Sequence, residues 1–264
     1  MVESSRGCEQ QSLVLIYGGV FMGEDWLSRA RILIGDAGIE ILENSTVAVV
    51  GLGGVGGAAV EALCRSGVGR LILVDHDVID LTNLNRQIIA TTANIGQKKC
   101  SAWEKRVKDI NPMCEVICLD TFYNEDTSDA LFEHTIDYII DGIDTVTSKL
   151  HLVAAARERN IPLIMCLGAG NRLSPSSFKV GDITDTIGSK CKFSRVMRRE
   201  LKRRGIVQQR IVFSTEDPYT SAFSGDSPKG RHSPGSISFC PPVAGYIAAG
   251  EAINDLLDAN SSKS

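Results

Sequence analysis

Residues 47–56 read Val-Ala-Val-Val-Gly-Leu-Gly-Gly-Val-Gly. An apolar run that breaks into Gly51-x-Gly53-x-x-Gly56 and then into a helical pattern leaves a chain few folds to choose from. The strand must end where the first glycine turns the backbone. The second glycine lets the backbone approach a phosphate, and the third lets helix and strand pack closely. The helix must then begin with its free N–H groups at the turn, where they attract anionic oxygens. Asp75 ends the next apolar run, where a carboxylate accepts hydrogen bonds from ribose hydroxyls. Gly51, Gly53, Gly54, Gly56 and Asp75 thus predict a nucleotide site, with NAD and ATP both open at this point.

The chain from Ser45 onward obeys the same rule. Strands are predicted over Thr46–Val50, Leu71–Val74, Glu115–Leu119, Asp137–Ile140 and Pro162–Leu167. Helices are predicted over Val55–Ser66, Gln97–Ile110, Asp126–His134 and Thr145–Arg159. This alternation predicts an α/β fold, Rossmann-like, with a mostly parallel sheet and helices on both faces. After Gly170 the rhythm changes to mixed strands, Phe178–Ile183 and Ile211–Ser214, around a basic helix, Cys191–Arg204. Asp217 to Gly235 is rich in Ser, Pro and Gly and reads as a long mobile loop. A last helix is expected from Val243 to Leu257. The first 28 residues read as an irregular N-terminal extension, broken by Gly18-Gly19. Residues 29–264 then form a single domain, with a nucleotide-binding half over 29–170 and a substrate-facing half over 171–264.

The chain has 264 residues, 43% of them hydrophobic, enough for a sizeable core. No apolar run reaches the roughly 18–20 residues a membrane span needs. Leu13 to Ile16 is too short for a signal-peptide core. A cytoplasmic protein without stable membrane insertion is expected. Eight cysteines are sparse at this size, and Cys64, Cys100 and Cys166 sit inside apolar patterns, so reduced and buried thiols are predicted. Only one close pair exists, Cys114 and Cys118, which argues against a tetrathiolate zinc site.

The residues between the strands choose the nucleotide. A hydride-transfer enzyme needs a nicotinamide pocket, and none is identifiable. Instead the loop after Asp75 carries Asn83, Asn85, Arg86 and Gln87. Arg86 presents a planar fork that matches phosphate oxygens. Lys99 opens the following helix as a point charge. Asp141 and Asp144 follow the strand at Tyr138–Ile140, on the sheet edge where open sheets bind ligands. Magnesium takes one or two carboxylates plus phosphate oxygens. Asp144 serves equally well as a cap for the helix that follows. Two cations and two carboxylates at one nucleotide edge favour ATP.

These residues resemble the ThiF/MoeB/HesA superfamily, relatives of the ubiquitin-activating enzymes. Within it, Thr82-Asn-Leu-Asn-Arg-Gln87, Asp109-Ile-Asn-Pro112, Asp141-Gly-Ile-Asp-Thr145 and Gly168-Ala-Gly-Asn171 resemble the branch that dehydrates threonylcarbamoyladenosine in tRNA. So do Arg195-Val-Met-Arg-Arg-Glu-Leu201 and Ser233-Pro-Gly-Ser-Ile-Ser238. The resemblance runs from about Arg29 to the C-terminus. It implies that the turn glycines and Asp75 hold adenosine, with Asn83, Asn85, Arg86, Gln87, Lys99, Asp144 and Thr145 completing the ATP site. It makes Arg86, Lys99 and Asp144 the catalytic set. It gives Mg2+ to Asp144, with Asp141 as a further ligand, and it leaves a monovalent cation and a sulfur or redox partner protein open. Its implied activity is adenylation of the threonyl carboxylate, followed by ring closure with loss of water, in a homodimer.

The net charge of −4 hides a segregated pattern. Nine lysines and arginines lie between Lys190 and Arg210, opposed only by Glu200. Lys192, Arg195, Arg198, Arg199, Lys202 and Arg203 are the candidate contacts to the tRNA backbone. A solvated helix or a dimer contact is the competing explanation. Two rival functions use the same nucleotide site: an adenylyltransferase for a ubiquitin-like sulfur carrier protein, and a non-catalytic ATP-binding module. Cys191 and Cys240 keep a thioester step conceivable in the first of these, although neither has a nucleophile's setting.

Overall fold

The computed structural model describes residues 14–16, 19–21, 25–219 and 234–261. Seven strands form one sheet in the order β5-β4-β3-β6-β7-β9-β8. They are β3 (Thr46–Val50), β4 (Arg70–Val74), β5 (Glu115–Leu119), β6 (Tyr138–Asp141), β7 (Leu163–Cys166), β8 (Phe178–Asp182) and β9 (Arg210–Ser214). All neighbours run parallel except β8, which closes one edge antiparallel to β9. A parallel sheet is covered on both faces, and alternation along each strand sends side chains to both. Val47 and Val49 join the layer of α1 (Ser28–Glu43), α2 (Gly54–Arg65), α3 (Lys99–Ile110) and α7 (Cys240–Ser261). Ala48 and Val50 join the layer of α4 (Asp129–Phe132), α5 (Val146–Glu158) and α6 (Lys192–Arg203). The expected Rossmann-like sheet is the one observed, with mixed strands on its C-terminal side.

The strand order reverses beside β3. The chain leaves β3 for β4 and β5 on one side, then returns to place β6 on the other. Ligands of open α/β sheets bind at such a switch point, outside the carboxyl ends of the strands. Here those ends are Gly51 and Gly142.

Four segments depart from the pattern read in the sequence. α1 is absent from it, because Gly35 breaks helical geometry (φ 70°, ψ 179°) and Ile32 and Leu33 point away from the core. The N-terminal extension is not wholly irregular, since β1 (Val14–Ile16) pairs antiparallel with β2 (Gly19–Phe21). Asp126–His134 yields only the short helix Asp129–Phe132. The final helix starts earlier than expected, with Pro241 and Pro242 in its first turn, where proline has no N–H to waste. Most of the expected long loop, residues 220–233, lies outside the described residues.

Candidate active site

The turn after β3 is shaped by what its glycines leave room for. Gly51 has φ +88°, and a Cβ there would stand 2.9 Å from the carbonyl carbon of Gly142. A Cβ on Gly56 would lie 1.8 Å from the Gly51 carbonyl oxygen, so any side chain breaks the turn. Gly54 opens α2 so closely that a Cβ would meet Pro241 at 2.9 Å and the Arg86 carbonyl oxygen at 3.3 Å. Gly53 faces open space, which leaves its backbone free to meet a ligand. Trp103 of α3, unremarked in the sequence, backs the helix: a Cβ on Gly57 would touch its ring at 2.9 Å.

Asp75 locks the turn. Its Oδ2 accepts from the Leu52 N–H at 2.7 Å and its Oδ1 from the Asp77 N–H at 2.8 Å. Each oxygen keeps a second lone pair. Lys99 is 4% exposed, and its Nζ lies 2.8 Å from Asp77 Oδ2 and 3.6 Å from Asp75 Oδ2. The lysine is therefore brought to the glycine turn through Asp75. Asp75, His76 and Asp77 gather three ligand atoms within 4.8 Å, but Lys99 already occupies their two carboxylates.

The loop after Asp75 is more tethered than its polar composition suggests. Asn83 is buried and its Oδ1 caps the Asp80 N–H at 3.1 Å, closing a reciprocal capping box with the Asp80 side chain. Asn85 Nδ2 donates to the Ser236 carbonyl at 3.0 Å, and its Oδ1 accepts from Arg86 Nη1. The same Nη1 donates to the Thr82 carbonyl at 2.8 Å. Burial lowers the pKa of Arg86 below the ordinary guanidinium range. Gln87 is buried, and its Oε1 has no partner among the described residues.

The two aspartates after β6 part company. Asp141 is 0% exposed, and its Oδ1 lies 2.9 Å from Nζ of the equally buried Lys149 while accepting from the Ile143 N–H at 3.0 Å. Burial pushes this carboxyl up, against the pull of Lys149. The geometry thus assigns Asp141 to the fold and corrects the expectation of a metal-facing ligand there. The strand starts and ends one residue later than expected, at Tyr138–Asp141, which keeps Asp141 inside the sheet. Asp144, by contrast, is exposed, and among the described residues its Oδ1 accepts only the Thr145 hydroxyl at 3.2 Å. Thr145 takes the N-cap position of α5 and makes no side-chain cap. Capping therefore does not occupy Asp144.

The basic helix buries Ser194, Met197 and Leu201 and turns Lys192, Arg195, Arg199, Lys202 and Arg203 outward. Arg198 is a correction: its Nη1 donates to the carbonyl and hydroxyl of Thr186, both at 2.7 Å, and so braces the fold. Glu200 is shared by Arg199, Arg203 and Arg204. Of the two cysteines weighed as nucleophiles, Cys191 and Cys240 are both buried. Burial, with Glu216 beside it, pushes the Cys240 thiol up against the pull of Arg172, the reverse of an activated thiol.

Known proteins resemble this chain in sequence and fold. The tRNA threonylcarbamoyladenosine dehydratase of Bacillus subtilis is 43% identical over 240 residues, covering 87% of this chain and 94% of its own. The Escherichia coli enzyme of the same name is 36% identical over 209 residues, covering 75% of this chain and 77% of its own. A crystal structure of the E. coli enzyme in complex with ATP superposes with a TM-score of 0.81 at 30% identity, covering 90% of this chain and 96% of that one. The model of the ThiF family matches residues 27–264, from the start of α1 through the glycine turn to the C-terminus, and the chain belongs to that family.

Proposed function

We propose that this chain uses ATP to activate the threonyl carboxylate of threonylcarbamoyladenosine in tRNA and closes it into the cyclic form with loss of water. The observation that carries this is a match to a dehydratase of that name over 94% of its length, in a chain whose switch point holds a glycine turn, Arg86, Lys99 and Asp144. A carboxylate is a poor electrophile because oxide is a poor leaving group. Its oxygen attacks the α-phosphorus of ATP, the bond to pyrophosphate breaks, and an acyl-adenylate remains. The carbamoyl group then attacks the acyl carbon and AMP departs. Charge grows as pyrophosphate leaves, and Arg86 and Lys99 are fixed cations set to meet it. Ring closure is intramolecular and needs positioning rather than a nucleophilic side chain. Asp75 can still accept from ribose hydroxyls through its remaining lone pairs.

Mg2+ fits one position. Asp144 is exposed and lightly engaged, and the metal takes one or two carboxylates with phosphate oxygens. When bound, magnesium neutralises phosphate charge. The homodimer finds support in Trp26, Ile32 and Leu33, which expose apolar surface around the start of α1. A monomer by light scattering at micromolar concentration would count against it. No helix among the described residues is long and apolar enough to cross a membrane, which suits a cytoplasmic tRNA enzyme.

The test is mass spectrometry of tRNA nucleosides after incubation with the protein and ATP. Loss of one water from threonylcarbamoyladenosine is expected. ATP–pyrophosphate exchange that requires a sulfur carrier protein, with the nucleoside untouched, would overturn the reading. The outward residues of α6 give a second expected outcome. Arg195→Gln with Lys202→Gln should flatten the log–log salt dependence of tRNA affinity by roughly 1.5–2. An unchanged slope removes α6 from the interface. Arg198→Gln should instead lower thermal stability, since Thr186 loses its partner.

A further inference from the structure

We propose that Arg172 receives the carboxylate of the substrate and holds it beside the nucleotide. This rests on the function proposed above and names the part of the site that would distinguish the acid. Arg172 follows β7, the strand next to β6, on the sheet edge that carries the glycine turn. It is 3% exposed, and its Nε and Nη1 are buried without a hydrogen-bond partner. Among the described residues it makes no hydrogen bond and no ion pair. A guanidinium carries five N–H donors and does not shed its charge in proteins. Burying one without a partner is costly, so such a group points to an anion that arrives from outside.

The surroundings hold the arginine in place without using it. Glu216, the acid nearby, spends its carboxylate on the N–H groups of Leu173 and Ser174 at 3.0–3.2 Å. Asn171, in left-handed backbone (φ +55°), accepts from the Gly235 N–H at 2.6 Å through its Oδ1. The chain on both sides of Arg172 is therefore clamped. Gly168, at φ +61°, keeps a side chain away from the guanidinium. A Cβ there would lie 3.6 Å from Arg172 Nη2, 3.8 Å from Ser194 Oγ and 2.9 Å from Cys191 Sγ. Nη2 thus shares a small space with a hydroxyl donor in the first turn of α6.

Two contacts join this space to the nucleotide edge. Residues 234–241 run from Gly235, bonded to Asn171, through Ser236, bonded to Asn85, to Pro241, packed against Gly54. A planar fork matches a carboxylate by two parallel hydrogen bonds. It matches a phosphate as well, and the sources separate by experiment. In the full-length enzyme, Arg172→Gln should raise the KM for modified tRNA roughly tenfold to a hundredfold. Affinity for ATP and for unmodified tRNA should not change. The ligand-free variant should melt at least about 2 °C higher, because an unpaired buried charge is gone.

An unchanged KM overturns the assignment. Equal loss of affinity for modified and unmodified tRNA overturns it in favour of a backbone phosphate, and weakened ATP binding overturns it in favour of the nucleotide. A lower melting temperature makes the arginine structural. A wild-type enzyme that leaves modified tRNA unchanged defeats the proposed function instead. The anion site is then read from N-carbamoylthreonine, which should stabilise the wild type and not Arg172→Gln.

Discussion

Replacing Lys99 with alanine should lower pyrophosphate release from ATP and modified tRNA by about 100- to 1000-fold, the size of effect seen when a preorganised charge is removed from a transition state. The argument is electrostatic. Lys99 is almost fully buried, so its ammonium acts through little water and is fixed before the reaction by Asp77 and Asp75. Asp75 is in turn bound to the Leu52 N–H of the glycine turn. A triphosphate at that turn offers the lysine more negative charge than the two carboxylates do, and the balance shifts further as pyrophosphate forms. Asp77 is half exposed and can be hydrated when Lys99 is lost, so the variant should stay folded. Circular dichroism checks the fold and a pyrophosphate assay checks the rate. Turnover close to the wild type would remove Lys99, and with it the electrostatic mechanism, from the proposal.

Much of this site was legible because it lies where strands end. A parallel sheet puts every βα loop on one edge, so Gly51–Gly56, Asp75, Arg86, Lys99 and Asp144 were all expected along that edge once the alternation was recognised. What escaped was orientation. Asp141-Gly-Ile-Asp144 offers two carboxylates, yet Asp141 falls inside the strand, where parity fixes its direction, and Asp144 lies beyond it. Ile140 faces the α2 layer, so Ile139 and Asp141 face the α5 layer. Lys149 waits there in a helix whose neighbours Leu150, Leu152 and Val153 are all buried. A lysine in such a run needs an acid, and that signal was present in the sequence. Arg198 escaped for a similar reason. It borders the buried face set by Ser194, Met197 and Leu201, and so turns inward while Arg195, Arg199 and Lys202 turn out. Arg172 carries no pattern at all, because its isolation follows from partners that Glu216 and Asn171 give to the backbone instead.

The buried pair also carries the largest stability effect. Lys149→Met should lower the melting temperature by about 10 °C, taking roughly 3–5 kcal/mol for a buried ion pair broken on one side and roughly 2–4 °C per kcal/mol at this size. Both partners are fully buried, and Lys149 Nζ also donates to the Asp141 carbonyl at 3.2 Å. Removing the lysine leaves Asp141 as an uncompensated acid with one oxygen, Oδ2, already lacking a partner. Burial raises this carboxyl, and Lys149 opposes the rise more than the Ile143 N–H does, so the variant loses the larger downward pull and the carboxyl moves further up. Folding then favours the protonated acid. The stability of the variant should be fullest below the unfolded carboxyl pKa of about 3.9 and should drain as pH rises through the folded value. Its deficit against the wild type should accordingly be smaller at pH 5 than at pH 8. Asp141→Asn in the Lys149→Met background should recover much of the loss, since no bare charge remains. Melting curves of the three variants across pH decide the matter: a deficit that grows on acidification would mean that Asp141 is not the group left behind. Because Asp141 holds the Ile143 N–H, the same curves report how firmly the loop bearing Asp144 is seated.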